Sequence, residues 1–369
     1  MVRKLPYLSG LAVIAVVLNH ALGWGFTAMF WWTHRYKPVT SPNFDQAQSI
    51  SYFVLRTFEQ LVIFAVPAFL FISGFFIVLV LNRKTGESGW PIIIRRIRTL
   101  LIPYLIWSGI ILVTEAIQGR SFELLDVIRI IAFGGAAPGF YFIPLLFQLY
   151  LLSPLVLKWG RASWVSLLLV SGFVMVLISF VRYGLMLGTD LQAAKTLTIL
   201  TAGWFFPGSL FWFAFGVVAG LHQKLIRDIA VRGHLFWKIG VFVLVLLGIW
   251  EWEFLYLNSG REWLPPALTF VDMLTSFAML MVFGGISDRY FVFQKHIARL
   301  GGKAYGIYLV HILALIFVAR GIYHVAPALL AFAVIFVAIL TVSGVTLPVL
   351  LMDVVKRSPA KRGYEILFG

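Results

Sequence analysis

Two imidazoles lie inside apolar stretches of this chain and set its chemistry. His20 ends the run Leu8-Ser-Gly-Leu-Ala-Val-Ile-Ala-Val-Val-Leu-Asn-His20, which carries no other ionisable group. If that run crosses a bilayer from near Leu8, His20 sits roughly 18 Å along it, well inside the hydrocarbon. An ionisable side chain at that depth is costly and therefore marks a functional candidate, here a general base. The bland alternative is a neutral imidazole bonded across a helix interface. His311 is the second, in Gly306-Ile-Tyr-Leu-Val-His311, with Tyr308 three residues back on the same helical face and Tyr305 a further turn away. This polar stripe fits a bundle interior or a cavity wall, with interhelical packing as the competing reading.

Other chemistry is thinner. Arg95, Arg96 and Arg98 precede an apolar run, where three guanidiniums either anchor the segment to anionic lipid or hold phosphates bidentately. Glu59 is the acid nearest His20 by depth, yet Arg56 stands three residues before it and offers an ordinary ion pair. The Ser73-Gly74 pair lacks the surroundings of a serine nucleophile and reads as a close helix contact. A haem between His20 and His311 would need repeated histidine pairs that the chain lacks. There is no cysteine, which removes disulfides, thiolate metal sites and a thiol nucleophile. No metal site is expected.

These residues must be carried by membrane helices. Of 369 residues 61% are hydrophobic and 12% charged, and the mean hydropathy is +0.93, beyond what a soluble core can use. The expected fold is all-α: a polytopic bundle of about ten spans, near 7–30, 60–82, 99–117, 141–158, 163–182, 203–222, 237–257, 266–287, 304–320 and 327–352. Nothing at the first span resembles a cleavage site, so it is read as a retained span. Placing the N-terminus inside puts 21 of the 30 Lys and Arg in cytoplasmic segments, which sets both termini in the cytoplasm. The net charge of +15 therefore reports topology rather than nucleic-acid binding. Residues 1–355 form one membrane domain and 356–369 a short basic cytoplasmic tail. Two outer segments interrupt the spans, 31–59, rich in interfacial aromatics, and 119–140, with a Gly134-Gly-Ala-Ala-Pro-Gly139 turn cluster. No matched Gly/Pro break in two halves is visible, which counts against a secondary transporter.

Four stretches, taken together with this topology, resemble the membrane acyltransferase-3 family of bacterial O-acyltransferases. They are Val16-Val-Leu-Asn-His-Ala21; Val66-Pro-Ala-Phe-Leu-Phe-Ile-Ser-Gly-Phe-Phe76; Arg95-Arg-Ile-Arg-Thr-Leu-Leu-Ile-Pro-Tyr104 with Tyr141-Phe-Ile-Pro-Leu-Leu-Phe-Gln-Leu-Tyr-Leu-Leu-Ser-Pro154; and Gly306 to His311. The resemblance covers about residues 7–352. It implies a multi-pass enzyme of the bacterial cytoplasmic membrane that passes an acyl group, acetyl foremost, from cytosolic acyl-CoA to a hydroxyl of a cell-envelope glycan or lipid-linked sugar. It implies His20 as catalytic base, acyl-CoA as co-substrate without a bound cofactor, and membrane lipids but no nucleic acid as partners. Tyr305, Tyr308, His311 and Glu59 become candidate oxyanion or acceptor contacts, and Arg95, Arg96 and Arg98 candidate donor-phosphate ligands. Two positions depart from the family pattern: its usual Arg eleven residues before the His is Ser9, and a His that often precedes the aromatic-Phe motif is Gly139. The alternative is an exporter of a lipid-linked sugar with His20 and His311 along its path. The oligomeric state stays open, a homodimer included.

Overall fold

The computed structural model describes residues 2–81, 89–188, 192–264, 268–287 and 290–369. The basic residues Arg83, Lys84 and Arg289, used above for topology, lie outside these. In chain order the helices are α1 Leu5–Phe30, α2 Ile50–Val62, α3 Ala65–Leu81, α4 Trp90–Ile117, α5 Leu124–Phe133, α6 Phe142–Ala162, α7 Trp164–Met186 and α8 Gln192–Thr201. There follow α9 Leu210–Leu221, α10 Gln223–Arg232, α11 His234–Asn258, α12 Phe270–Gly285, α13 Gln294–Gly301, α14 Ala304–Val325, α15 Ala333–Arg357 and α16 Tyr364–Phe368. Among the described residues nine helical segments are long and apolar enough to cross a membrane, with α2–α3 and the α8–α9 region each counted as one. A tenth apolar helix, α12, has 16 residues. It still runs from end to end. Lys4 at the start of α1 donates to the Gly284 and Ile286 carbonyls at its last turn, and Arg182 near the end of α7 donates to Leu268 just before its first. Nine of the ten expected spans are thus long and apolar enough to cross, the shorter α12 stands where the tenth was expected, and the fold is a polytopic helical bundle.

Three boundaries differ from the expectation. The second span starts at Ile50 because Ser49 caps α2, its side chain accepting from Tyr52 N, so Glu59 lies in the third turn of a helix and the first outer segment is shorter. The third starts at Trp90, with Pro91 in its first turn, so Arg95, Arg96 and Arg98 sit on the helix rather than before it. Segment 119–140 contains α5, a helix with no buried residue.

Helix α1 is central: it touches α2, α3, α13, α14 and α15, and its small residues Gly10, Ala12, Ala15, Ala21, Gly25 and Ala28 are buried along its length. Helix α11, by contrast, turns Phe236, Phe242, Leu246 and Trp250 outward to lipid. A backbone-close crossing joins α3 to α9, where a Cβ added at Gly74 would lie 2.1 Å from the Phe213 carbonyl oxygen and one at Gly216 2.0 Å from that of Phe71. Gly74 is therefore a packing residue, while Ser73 beside it borders the internal cavity. Residues after 357 dock rather than trail: Phe368 is buried against α4, and Trp107 Nε1 donates to Leu367 O at 2.8 Å.

Irregular backbone inside the bundle is answered by side chains, as a water-poor interior requires. Pro154 leaves the Tyr150 carbonyl without its helical donor, and Ser153 Oγ supplies one at 2.6 Å. Gln148 donates to Trp204 O at 2.7 Å and accepts from Phe206 N, holding the non-helical stretch between α8 and α9. At the start of α12 the first amides are all met: Thr269 N by Asp272 Oδ2, Phe270 N by Tyr183 Oη, Val271 N by Glu251 Oε2 and Asp272 N by Thr269 Oγ1.

Candidate functional site

A cavity of about 1210 Å³ runs through the bundle along α1. Its wall takes residues of α1 from Leu5 to Thr27, a rise of roughly 33 Å at 1.5 Å per residue. That matches the thickness of a hydrocarbon core, about 30 Å. His20 is on the wall, roughly two thirds of the way from the start of α1. Leu5, Pro6, Ser9, Arg96 and Leu100 line the half beside the start of α1, expected to be cytoplasmic; Thr27, Glu59, Gln60, Arg182, Trp252 and Asp272 line the half beside its end, expected to be the outer one. The cavity is continuous from one half to the other.

Around His20 the predicted residues converge. His311 on α14 faces it with ring centroids 5.3 Å apart. Tyr308 follows at 6.0 Å from His311, and Tyr305 stacks on Tyr308 at 6.2 Å. Their polar atoms are largely committed, however. Tyr308 Oη donates to Gly139 O at 2.7 Å and Tyr305 Oη to Leu100 O at 2.5 Å. His311 is wholly buried, with Nδ1 2.6 Å from the Tyr308 carbonyl, which fixes the proton on that nitrogen. Its Nε2 has no partner and faces the interior as an acceptor. Tyr305 and Tyr308 line the cavity and His311 does not, so these three hold the architecture around His20 rather than offering free donors.

Gly139 closes the other side of the imidazole. Its φ of +91° lies where a side chain is strained, and a Cβ there would stand 3.1 Å from His20 Nε2. Gly139→Ala is expected to cut turnover about tenfold, through backbone strain of about 1–2 kcal/mol and a displaced ring. Comparing kcat at matched folded fraction checks this, and a fully active variant would show that the contact does not matter.

The arginine trio separates. All three are exposed, but only Arg96 lines the cavity, its Nε donating to Tyr150 Oη at 3.1 Å. Ser9, where the resemblance expects an arginine, shares the same half of the wall and donates to Gly301 O, while Arg96 of α4 stands on that half too.

Glu59 pairs with Arg56, and Arg56 is caged by aromatic rings, with Trp252 at 4.2 Å, Phe26 at 4.7 Å and Trp263 at 5.0 Å. The sequence reading singled out Glu59 here but not Gln60, Arg182, Trp252 or Asp272. Arg182 and Asp272 carry a signal nonetheless, being charged residues within or at the end of apolar runs, and Thr269-x-x-Asp272 spells a capping box.

No curated protein and no solved structure resembles the chain closely enough to count as a match. A family model does: that of the acyltransferase-3 family, described as an acyltransferase domain, matches residues 4–348. The match spans both halves of the cavity and every helix that lines it. The chain therefore belongs to the acyltransferase-3 family of membrane acyltransferases.

Proposed function

We propose that this acyltransferase takes an acyl group, acetyl foremost, from acyl-CoA on the cytoplasmic side and gives it to a hydroxyl of a cell-envelope glycan or lipid-linked sugar presented from the outer side. The observation that carries the reading is the placement of His20 on a cavity that reaches both halves of the bundle. The donor's phosphates meet Arg96 at the cytoplasmic mouth, and its pantetheine arm extends along α1 past Ser9. His20 takes the proton of the acceptor hydroxyl as the oxygen attacks the thioester carbonyl. The tetrahedral intermediate collapses, the carbon–sulfur bond breaks, and the departing CoA thiolate takes the proton back from the imidazolium. Asn19, also on the wall, offers amide N–H groups to the oxyanion. The surrounding apolar spans keep bulk water from the thioester. A bacterial cytoplasmic membrane, with acyl-CoA on one side and envelope glycans on the other, suits this chemistry.

A cavity open to both halves also suits a transporter of lipid-linked sugars; in an acyltransferase it lets two substrates arrive from opposite sides. The deciding experiment is release of CoA from acetyl-CoA by purified protein in vesicles. No release with any acyl-CoA, together with movement of a lipid-linked sugar across the vesicle, would replace this proposal with the transporter.

Arg96→Ala is expected to raise the donor KM about tenfold, the worth of one charge-assisted phosphate contact. Arg95→Ala and Arg98→Ala, off the cavity, should leave it within about twofold, as exposed charges do. An unchanged KM in Arg96→Ala would return the whole trio to membrane anchoring.

A further inference from the structure

His20 and His311 meet where α1 packs on α14, with ring centroids 5.3 Å apart and planes tilted by 42°. A neutral imidazole carries one N–H and one lone pair, and the partner of the N–H decides which nitrogen holds the proton. For His311 that choice is made. Nδ1 lies 2.6 Å from the Tyr308 carbonyl and 3.2 Å from that of Ile307, so it donates and Nε2 keeps the lone pair. Nε2, the ring nitrogen farther from the α14 backbone, is buried without a partner, which is costly for an acceptor. Tyr308, the other ring beside it, has spent its hydroxyl proton on Gly139 O. His20 has the complementary need, since neither of its nitrogens is hydrogen-bonded among the described residues. Its Nε2 is turned to Gly139, where a Cβ would stand 3.1 Å away, and both residues line the cavity. The absent side chain leaves that nitrogen room for a substrate oxygen, so the N–H belongs on Nδ1.

We infer that His311 is a positioning residue for His20: its Nε2 accepts the Nδ1–H of His20 and so keeps the His20 Nε2 lone pair on the cavity side. The use made of that lone pair rests on the acyl-transfer reading above. Two imidazoles joined by one N–H···N bond of about 3 Å have centroids about 5 Å apart, close to the separation seen, so a small turn of the rings completes the bond. A base whose proton sits on the nitrogen facing the substrate cannot take another. When His20 Nε2 takes the acceptor's hydroxyl proton, the ring becomes a cation whose Nδ1–H still meets a lone pair instead of apolar side chains. The proton then leaves Nε2 for the CoA thiolate, and His311 ends as it began. His311 is off the cavity wall and touches neither substrate.

The test uses full-length protein in bilayers, with its seven histidines labelled with nitrogen-15. Nuclear magnetic resonance without substrate reads which ring nitrogens carry protons, and the His20 signals are those lost in His20→Ala. The expected result is a protonated Nδ1 and a bare Nε2 in the wild type, and loss of that pattern in His311→Leu. Two further variants separate this role from packing. His311→Asn keeps a donor for the Tyr308 carbonyl at the place of Nδ1 but has nothing at Nε2, whereas His311→Gln reaches as far as Nε2 with an acceptor oxygen. In acetyl-CoA turnover His311→Leu and His311→Asn should each lower kcat about 10- to 100-fold, the worth of a hydrogen bond to a charged group. The donor KM should hardly move, and His311→Gln should recover most of the loss. A wild-type proton on His20 Nε2, a His20 pattern unmoved by His311→Leu, or full activity in His311→Asn beside none in His311→Gln would overturn the assignment. The expected pattern and its loss in a protein that releases no CoA would instead sink the acyl-CoA donor while leaving the imidazole pair standing.

Discussion

His20→Ala is expected to lower acetyl-CoA turnover by about 10²- to 10⁴-fold, the usual worth of a positioned general base. The size of the effect depends on whether a neighbour can substitute, and none is placed to. His311 lies 5.3 Å away between ring centroids, yet it is fully buried, is tied through Nδ1 to the Tyr308 carbonyl, and is absent from the cavity wall. Tyr305 and Tyr308 reach the cavity but give their hydroxyl protons to Leu100 and Gly139. Residual activity should come from holding the two substrates together, which does not need the imidazole. The measurement is kcat by CoA release, with size-exclusion profiles to show that the variant is folded. Turnover undiminished in His20→Ala but lost in His311→Ala would transfer the base role to α14.

The largest effect on stability is expected at the α3–α9 crossing. Gly216→Val places branched carbon where the Phe71 carbonyl oxygen would be 2.0 Å from its Cβ, and Gly74 faces Phe213 O across the same contact at 2.1 Å. The obstacle is backbone on both helices, which cannot rotate aside as a flexible side chain would. The helices must separate, opening the packing of Phe75, Phe213 and Val217, all fully buried there. Overpacking of this kind costs about 3 kcal/mol or more. The variant should therefore lose its monodisperse peak in detergent at a temperature well below that of the wild type. Equal heat resistance would mean that α3 and α9 do not cross at these glycines.

The spans were readable because apolar runs of bilayer length leave little choice of structure. His20 and the His311–Tyr308–Tyr305 stripe were readable because a polar group in a greasy helix has few reasons to be there. What periodicity could not supply was which helix faces which. The three arginines 95, 96 and 98 look alike in sequence, and only the packing of α4 against α6 decides that Arg96 meets Tyr150 and the cavity. Tyr305 and Tyr308 looked like free donors until the carbonyls of Leu100 and Gly139 were found opposite them. The outer half of the cavity was missed for a related reason. Asp272, Glu251 and Tyr183 belong to three helices, and their common task, satisfying the first amides of α12, exists only once those helices are assembled.

Helix α12 also bears on the bilayer itself. Its 16 residues extend only about 24 Å, some 6 Å less than a typical hydrocarbon core of about 30 Å. Phe270 and Leu274 near its outer end are exposed and meet the lipid there. The surrounding leaflet must thin to match this short apolar face, a modest cost for each ångström of mismatch. Headgroups beside α12 would then sit lower than elsewhere around the protein. On the acyl-transfer reading proposed above, an acceptor anchored in that leaflet has less far to rise to reach His20.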